Sequence, residues 1–190
     1  MQAIVGRYPG MIIGGIAIIA WGYPRVTTDI DVTLQVNLNH LTSLVKSLSA
    51  YKIYPRIDGA VPFARTRHVL LMRHQKSGVD VDVSLALLPF EEEAIANRLF
   101  VDFSGVRIAV PRPEDLVIYK MVAFRPEGLR DVEELLLRHL RGMNLNRVRK
   151  IVREFAEVLD RPEMVKKLGD LLRKTRPQAV REGKKTKGQQ

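Results

Sequence analysis

The sequence predicts an α/β (α+β) fold, with a sheet-containing part over residues 1–110 and a helical C-terminal portion over 111–175. Three observations point to it. Runs alternating at period two and rich in Val, Ile and Thr occur only before about residue 110, helical periodicity takes over from Pro113, and no internal repeat or linker intervenes. With 190 residues, 46% of them hydrophobic, the chain is long enough to bury a sizeable core and reads as soluble and globular.

Each element has its own justification. After the short lead "MQAIVGRYP", Gly14-Gly15 open a helix through "IAIIAWG" that Tyr23-Pro24 ends. "RVTTDIDVTL", Arg25 to Leu34, is a strand by alternation and β-branching. "NLNHLTSLVKSLSAY" offers Asn37 or Asn39 as N-cap and sets Leu41, Leu44, Val45 and Leu48 on one helical stripe. Residues 54–67 read as a loop with a single helical turn. "HVLLMRH" and "VDVDVSLALL" are two further strands. "PFEEEAIANRL" starts a helix with Pro89 in its first turn and acids at its positive end. "FVDFSGVRIAV" is a hairpin turning at Ser104-Gly105, and helical segments follow at 113–124, 128–141, 144–159 and 161–174.

Composition excludes some chemistry. The chain has no cysteine, which rules out disulfides and thiolate metal sites and agrees with a reducing, cytoplasmic setting. The longest apolar stretch, Met11 to Gly22, is too short to span a bilayer. Arg7 before that stretch mimics the start of a signal peptide, but no small-residue cleavage site follows. His40, His68, His74 and His139 are scattered without ligand spacing, so no zinc site is expected. Of the net charge of +10, residues 173–190 supply +6. The stretch 176–190, "RPQAVREGKKTKGQQ", reads as a flexible basic tail, either drawn to polyanions by counterion release or simply solubilising.

Two carboxylates in one strand need an explanation. Side chains at i and i+2 share a face, so Arg25, Thr27, Asp29, Asp31 and Thr33 lie together, opposite Val26, Thr28, Ile30, Val32 and Leu34. The two aspartates stand about 6.5 Å apart along the strand. Burying them unpaired costs several kcal/mol each, so they must face solvent, a basic partner or a metal. The plain reading is an exposed edge strand paired with lysines, and Arg25 is one available partner. The more specific reading takes the Asp-x-Asp face and the glycine-initiated helix together, with hard oxygen ligands for two Mg²⁺ ions beside N–H groups that hold phosphates. "GVDVDVSLAL" supplies a third carboxylate, because Asp80, Asp82 and Ser84 share a face, and either aspartate can act as a metal-bound base.

These pieces resemble the nucleotidyltransferase superfamily built on the DNA polymerase β palm, and within it the branch of AbiEii-type toxins and related uncharacterised proteins. The likeness is carried by "GGIAIIAWGYPRVTTDIDV", "VDVSLALLPFEEEAI" and "EDLVIYKMVAFRPEGLRDVEELL", over roughly residues 12–137. It implies a nucleotidyltransferase-like mixed β-sheet with flanking helices. It also implies a phosphate-binding turn at Gly14 and Gly15, nucleotide contacts from Arg25 and Thr27 of the same motif, and Mg²⁺ or Mn²⁺ on Asp29, Asp31 and Asp82. Lys120 would face the triphosphate, and Asp131 corresponds to an "RD" aspartate of the family. Two features depart from the pattern: the helix before the Gly-Gly strand is nearly absent, and Asp80 stands where some members carry a basic residue. The implied substrate is a nucleoside triphosphate, and the acceptor a hydroxyl on RNA or transfer RNA, a protein or a small molecule. A non-catalytic binding protein with the same fold is the alternative from another class.

Overall fold

The computed structural model describes residues 8–185, with side chains through Arg176. Arg7 with the start of the lead, and the tail residues 186–190, lie outside the described residues. Two compact units divide between Pro111 and Arg112.

The first unit is built on a five-stranded mixed sheet. Its strands are β1 (Gly10–Ile12), β2 (Asp29–Leu34), β3 (Ile53–Pro55), β4 (Val69–His74) and β5 (Asp80–Leu85), in spatial order β1-β2-β5-β4-β3. Only the β2–β5 pair is parallel, and every other neighbour runs antiparallel. Period-two alternation gives the sheet one apolar face, where Val32, Leu34, Leu70, Met72, Val81, Val83 and Leu85 are buried. Helices α2 (Leu41–Ser49) and α3 (Ala60–Arg67) bring Leu41, Leu44, Leu48, Ala60 and Ala64 into that same core. The short helix α1 (Gly14–Ala20) leaves β1 and packs against β2 through buried Ala17 and Ile18. After α4 (Pro89–Ala96), β6 (Leu99–Phe103) and β7 (Val106–Val110) form a separate hairpin. Its turn residues Ser104 and Gly105 both have positive φ, 52° and 80°, as a tight two-residue turn requires.

Four expectations are corrected. The strand read as Arg25–Leu34 begins at Asp29, because its partner β5 begins at Asp80 and earlier residues have no ladder to join. Val26 is accordingly 86% exposed rather than on a buried face. The lead contains β1, whose three residues are too few to show a period. The segment read as a loop holds β3 and α3. Pro62 argues against a helix there, yet it sits in the first turn of α3, where a missing N–H costs nothing. Most other helix boundaries move by one to three residues, and the last helix, expected to end at 174, runs on to Lys185.

The second unit is helical, with α5 (Pro113–Ala123), α6 (Pro126–His139), α7 (Leu145–Val158) and α8 (Glu163–Lys185). Phe124 closes α5 in the left-handed region, and Pro126 starts α6 in its first turn. The side chain of Asn144 caps α7 by accepting from the Arg147 N–H at 3.1 Å. Continuing α8 to Lys185 carries the first part of the basic tail into a helix. Leu116, Ile118, Met121, Val132, Leu136, Val148 and Val152 form the core. Into it is set an ion pair, Arg147 Nη1 to Asp115 Oδ1 at 2.5 Å, with the aspartate side chain 2% exposed. Arg147→Ala strips that cation from a buried carboxylate and is expected to destabilise the protein by about 3–5 kcal/mol. Thermal melting checks this. A Tm unchanged within experimental error would show that the pair contributes nothing net. Among the described residues no helix is long and apolar enough to cross a membrane.

Candidate active site

The sheet has a second face, and it is acidic. The parallel register of β2 and β5 sets Asp29 beside Asp80 and Asp31 beside Asp82, so four aspartates share one face on two rungs separated by that of Ile30 and Val81. Neighbouring strands lie about 4.8 Å apart, which brings each pair within reach of one shared cation. The antiparallel partner β4 adds Arg73 opposite Asp80 and Leu71 opposite Asp82. The Arg56 N–H donates to the Leu71 carbonyl at 3.0 Å, so the chain after β3 continues the rung of Asp82.

The glycines are explained by what presses on them. Gly14 has φ +67°, and a Cβ there would come within 1.9 Å of Asp31 Oδ2. A Cβ on Gly15 would come within 2.5 Å of Thr27 Oγ1. Only hydrogen at these two α-carbons lets Asp31 and Thr27 lie against the turn. Thr27 Oγ1 in turn donates to Asp29 Oδ1 at 3.0 Å, and the Ile13 N–H donates to the Asp31 carbonyl at 2.9 Å. Gly14, Gly15, Thr27, Asp29 and Asp31 are therefore one contiguous cluster. Arg25 lies near its edge, with Nε directed at the Val26 carbonyl at 3.4 Å.

Asp80 and Asp82 carry arginine partners. Arg73 Nε donates to Asp80 Oδ1 at 2.6 Å, and this hydrogen bond is the main cause that holds the Asp80 carboxyl below the usual carboxylate range. Asp80 therefore stays ionised through neutral pH. Arg56 grips Asp82 with both Nη atoms, at 2.5 and 3.3 Å, and stands 3.6 Å from Asp80 Oδ2. Sequence reading missed Arg56, which sits in the segment taken as a loop. Its only signal was a cation following a short apolar-aromatic run.

Lys120 and Asp131 lie in the second unit, paired with each other at 3.0 Å, the lysine side chain 16% and the aspartate 3% exposed. Gly128 packs beside the Lys120 stem, where an added Cβ would stand 3.5 Å from its Cδ.

The donor set suits a hard divalent cation in kind and in strand placement: carboxylate oxygens on neighbouring strands, with Asp31 directly beside Asp82. The side-chain directions do not yet suit it. Among the described residues no three acidic or histidine side chains are grouped so as to hold a metal ion, and the Asp82 oxygens point to Arg56.

Comparison with known proteins agrees with this architecture. ANT(2″)-Ia, crystallised in complex with adenylyl-2″-tobramycin, is similar with a TM-score of 0.54 at 15% identity, covering 83% of this chain and 94% of that one. An antigenic nucleotidyltransferase-like protein from Paracoccidioides brasiliensis is similar with a TM-score of 0.53 at 16% identity, covering 88% of each chain. At such identities the likeness shows the fold. No curated protein matches the chain in sequence. A family model described as "Nucleotidyltransferase of unknown function (DUF6036)" matches residues 2–174, which reaches into both units and takes in every candidate site residue placed above. The chain belongs to that nucleotidyltransferase family.

Proposed function

We propose that the chain transfers a nucleoside monophosphate from a nucleoside triphosphate to an acceptor hydroxyl, with Mg²⁺ or Mn²⁺ as cofactor. The observation that carries this reading is the rung of Asp31 and Asp82 lying beside a glycine turn that the Asp31 carboxylate touches. The Gly14-Gly15 turn positions the phosphates, with Arg25 and Thr27 at its border. Asp82 takes the proton of the acceptor hydroxyl, whose oxygen attacks the α-phosphorus in line. The new P–O bond forms as the bond to pyrophosphate breaks. A divalent ion bound by Asp29, Asp31 and Asp82 would supply charge neutralisation on the attacked and departing phosphates.

RNA is the acceptor we favour, and a toxin acting on RNA or transfer RNA is one form such an activity takes. On the β6–β7 hairpin Phe100 is half exposed, with the guanidinium groups of Arg98 and Arg107 lying 5.5 and 5.2 Å from its ring centre. An exposed ring between cations is the composition that stacks bases and holds phosphates, and the net charge of +10 acts in the same direction. Phe100→Ala is expected to weaken binding of a single-stranded RNA by about 5- to 100-fold in a fluorescence-anisotropy titration. Unchanged affinity would remove the hairpin from the RNA surface.

A second reading, a non-catalytic nucleic-acid-binding protein, is favoured by one observation: Asp80 and Asp82 are both engaged by arginines. One experiment separates the readings. The protein is incubated with each labelled nucleoside triphosphate, Mg²⁺ or Mn²⁺, and in parallel total RNA, a protein extract or an aminoglycoside, beside Asp31→Asn. Label entering RNA in an Asp31-dependent way is the expected result. Label entering protein or aminoglycoside instead moves the acceptor to that class. No incorporation with either metal, together with salt-sensitive RNA binding unchanged in Asp31→Asn, establishes the binding protein.

A further inference from the structure

The side chain that engages Asp82 is placed by three strands. Arg56 follows β3 on the rung of Leu71 and Asp82, and its stem crosses Leu71 of β4 to reach the acidic face. There Nη1 and Nη2 fork onto the two oxygens of Asp82 at 2.5 and 3.3 Å, while Nη1 also approaches Asp80 Oδ2 at 3.6 Å and the Met72 carbonyl at 3.3 Å. A guanidinium forked on a carboxylate is among the strongest polar contacts a protein makes. Asp80 has a cation of its own in Arg73, so Arg56 is the positive charge serving Asp82. Its side chain is 22% exposed, so it is reachable from solvent at the face where a triphosphate would arrive.

We propose that Arg56 is an internal counter-ion that holds Asp82 until nucleotide binds and then passes to the triphosphate, freeing Asp82 for the metal and the acceptor proton. The inference rests on the nucleotidyl-transfer reading above. A divalent ion approaching Asp82 from Asp31 meets a like charge on the same oxygens, so the ion alone binds weakly. A triphosphate offers anionic oxygens that suit the guanidinium fork equally well, and the exchange keeps every charge partnered. Metal and nucleotide therefore bind cooperatively, each raising the affinity of the other by the same factor, and Arg56 adds to the coupling that direct contact between ion and phosphates already gives. Asp82 then meets its proton-accepting role only when the triphosphate is in place, which limits idle metal loading.

The test measures Mn²⁺ binding by electron paramagnetic resonance on the full chain, with and without an α,β-methylene nucleoside triphosphate that cannot transfer its nucleotide. In the wild type the analogue is expected to raise Mn²⁺ affinity by roughly tenfold or more. Arg56→Gln is expected to bind Mn²⁺ roughly tenfold tighter without analogue, to bind the analogue more weakly, and to show a smaller coupling than the wild type, the remainder coming from direct contact between the ion and the phosphates. Arg56→Lys, which keeps the charge and loses the fork, covers the case in which the glutamine variant does not fold, and is expected to fall between the two. Mn²⁺ binding that depends on Asp31 but has the same affinity and coupling in Arg56→Gln or Arg56→Lys overturns the counter-ion role and leaves the function standing. Absence of Asp31-dependent Mn²⁺ binding with the analogue present overturns both.

Discussion

Asp31→Asn is expected to lower nucleotide incorporation by at least about 10²–10³-fold, the size of effect seen when one group that stabilises transition-state charge is removed. Asp31 is chosen because two independent contacts converge on it. It shares a rung with Asp82, and its carboxylate lies against the Gly14 α-carbon. Asparagine keeps the shape and removes the charge, so the position on β2 and the approach to Gly14 are preserved. The measurement pairs incorporation with thermal melting. Retention of more than about a tenth of wild-type incorporation would be incompatible with Asp31 as a metal-holding carboxylate.

Gly14→Ala is expected to reproduce most of that loss by displacing the same carboxylate, and to destabilise the fold as well. Its φ of +67° requires the left-handed region, which costs a residue with a Cβ about 1–2 kcal/mol. The added methyl would also stand 1.9 Å from Asp31 Oδ2 and 2.7 Å from Asp31 Cγ, so the carboxylate must turn away. Gly22→Ala is the matched control: its φ is +88°, but nothing lies within 4 Å of a Cβ placed there. Both variants are expected to lose stability in a melting experiment, and only Gly14→Ala to lose incorporation. Equal activities in the two would mean that the Gly14–Asp31 contact has no functional weight. Gly15→Ala probes the other branch, because a Cβ there meets Thr27 Oγ1, which donates to Asp29.

What was readable in the chain was whatever depends on a short local period. Alternation put Asp29 with Asp31, and Asp80 with Asp82, on common faces, because a strand repeats every two residues whatever surrounds it. The Leu41, Leu44 and Leu48 stripe of α2 was readable for the same reason at a period of 3.6. Three-residue strands such as β1 and β3 carry no period at all, and Pro62 disguised the start of α3.

The sequence by itself determined that an Asp-x-Asp strand follows a double glycine, that a second acidic strand exists, and that helices dominate after Pro113. Only the tertiary structure decided that β2 and β5 run parallel with Asp31 beside Asp82, that Gly14 is pressed by Asp31 and Gly15 by Thr27, and that Arg56 grips Asp82 from across β4. The physical reason is range. Facing is fixed within a few residues by backbone geometry, whereas strand adjacency and register follow from how distant segments bury their apolar faces together. Arg56 and Asp82, 26 positions apart in the chain, meet only once that burial has chosen the order of the sheet.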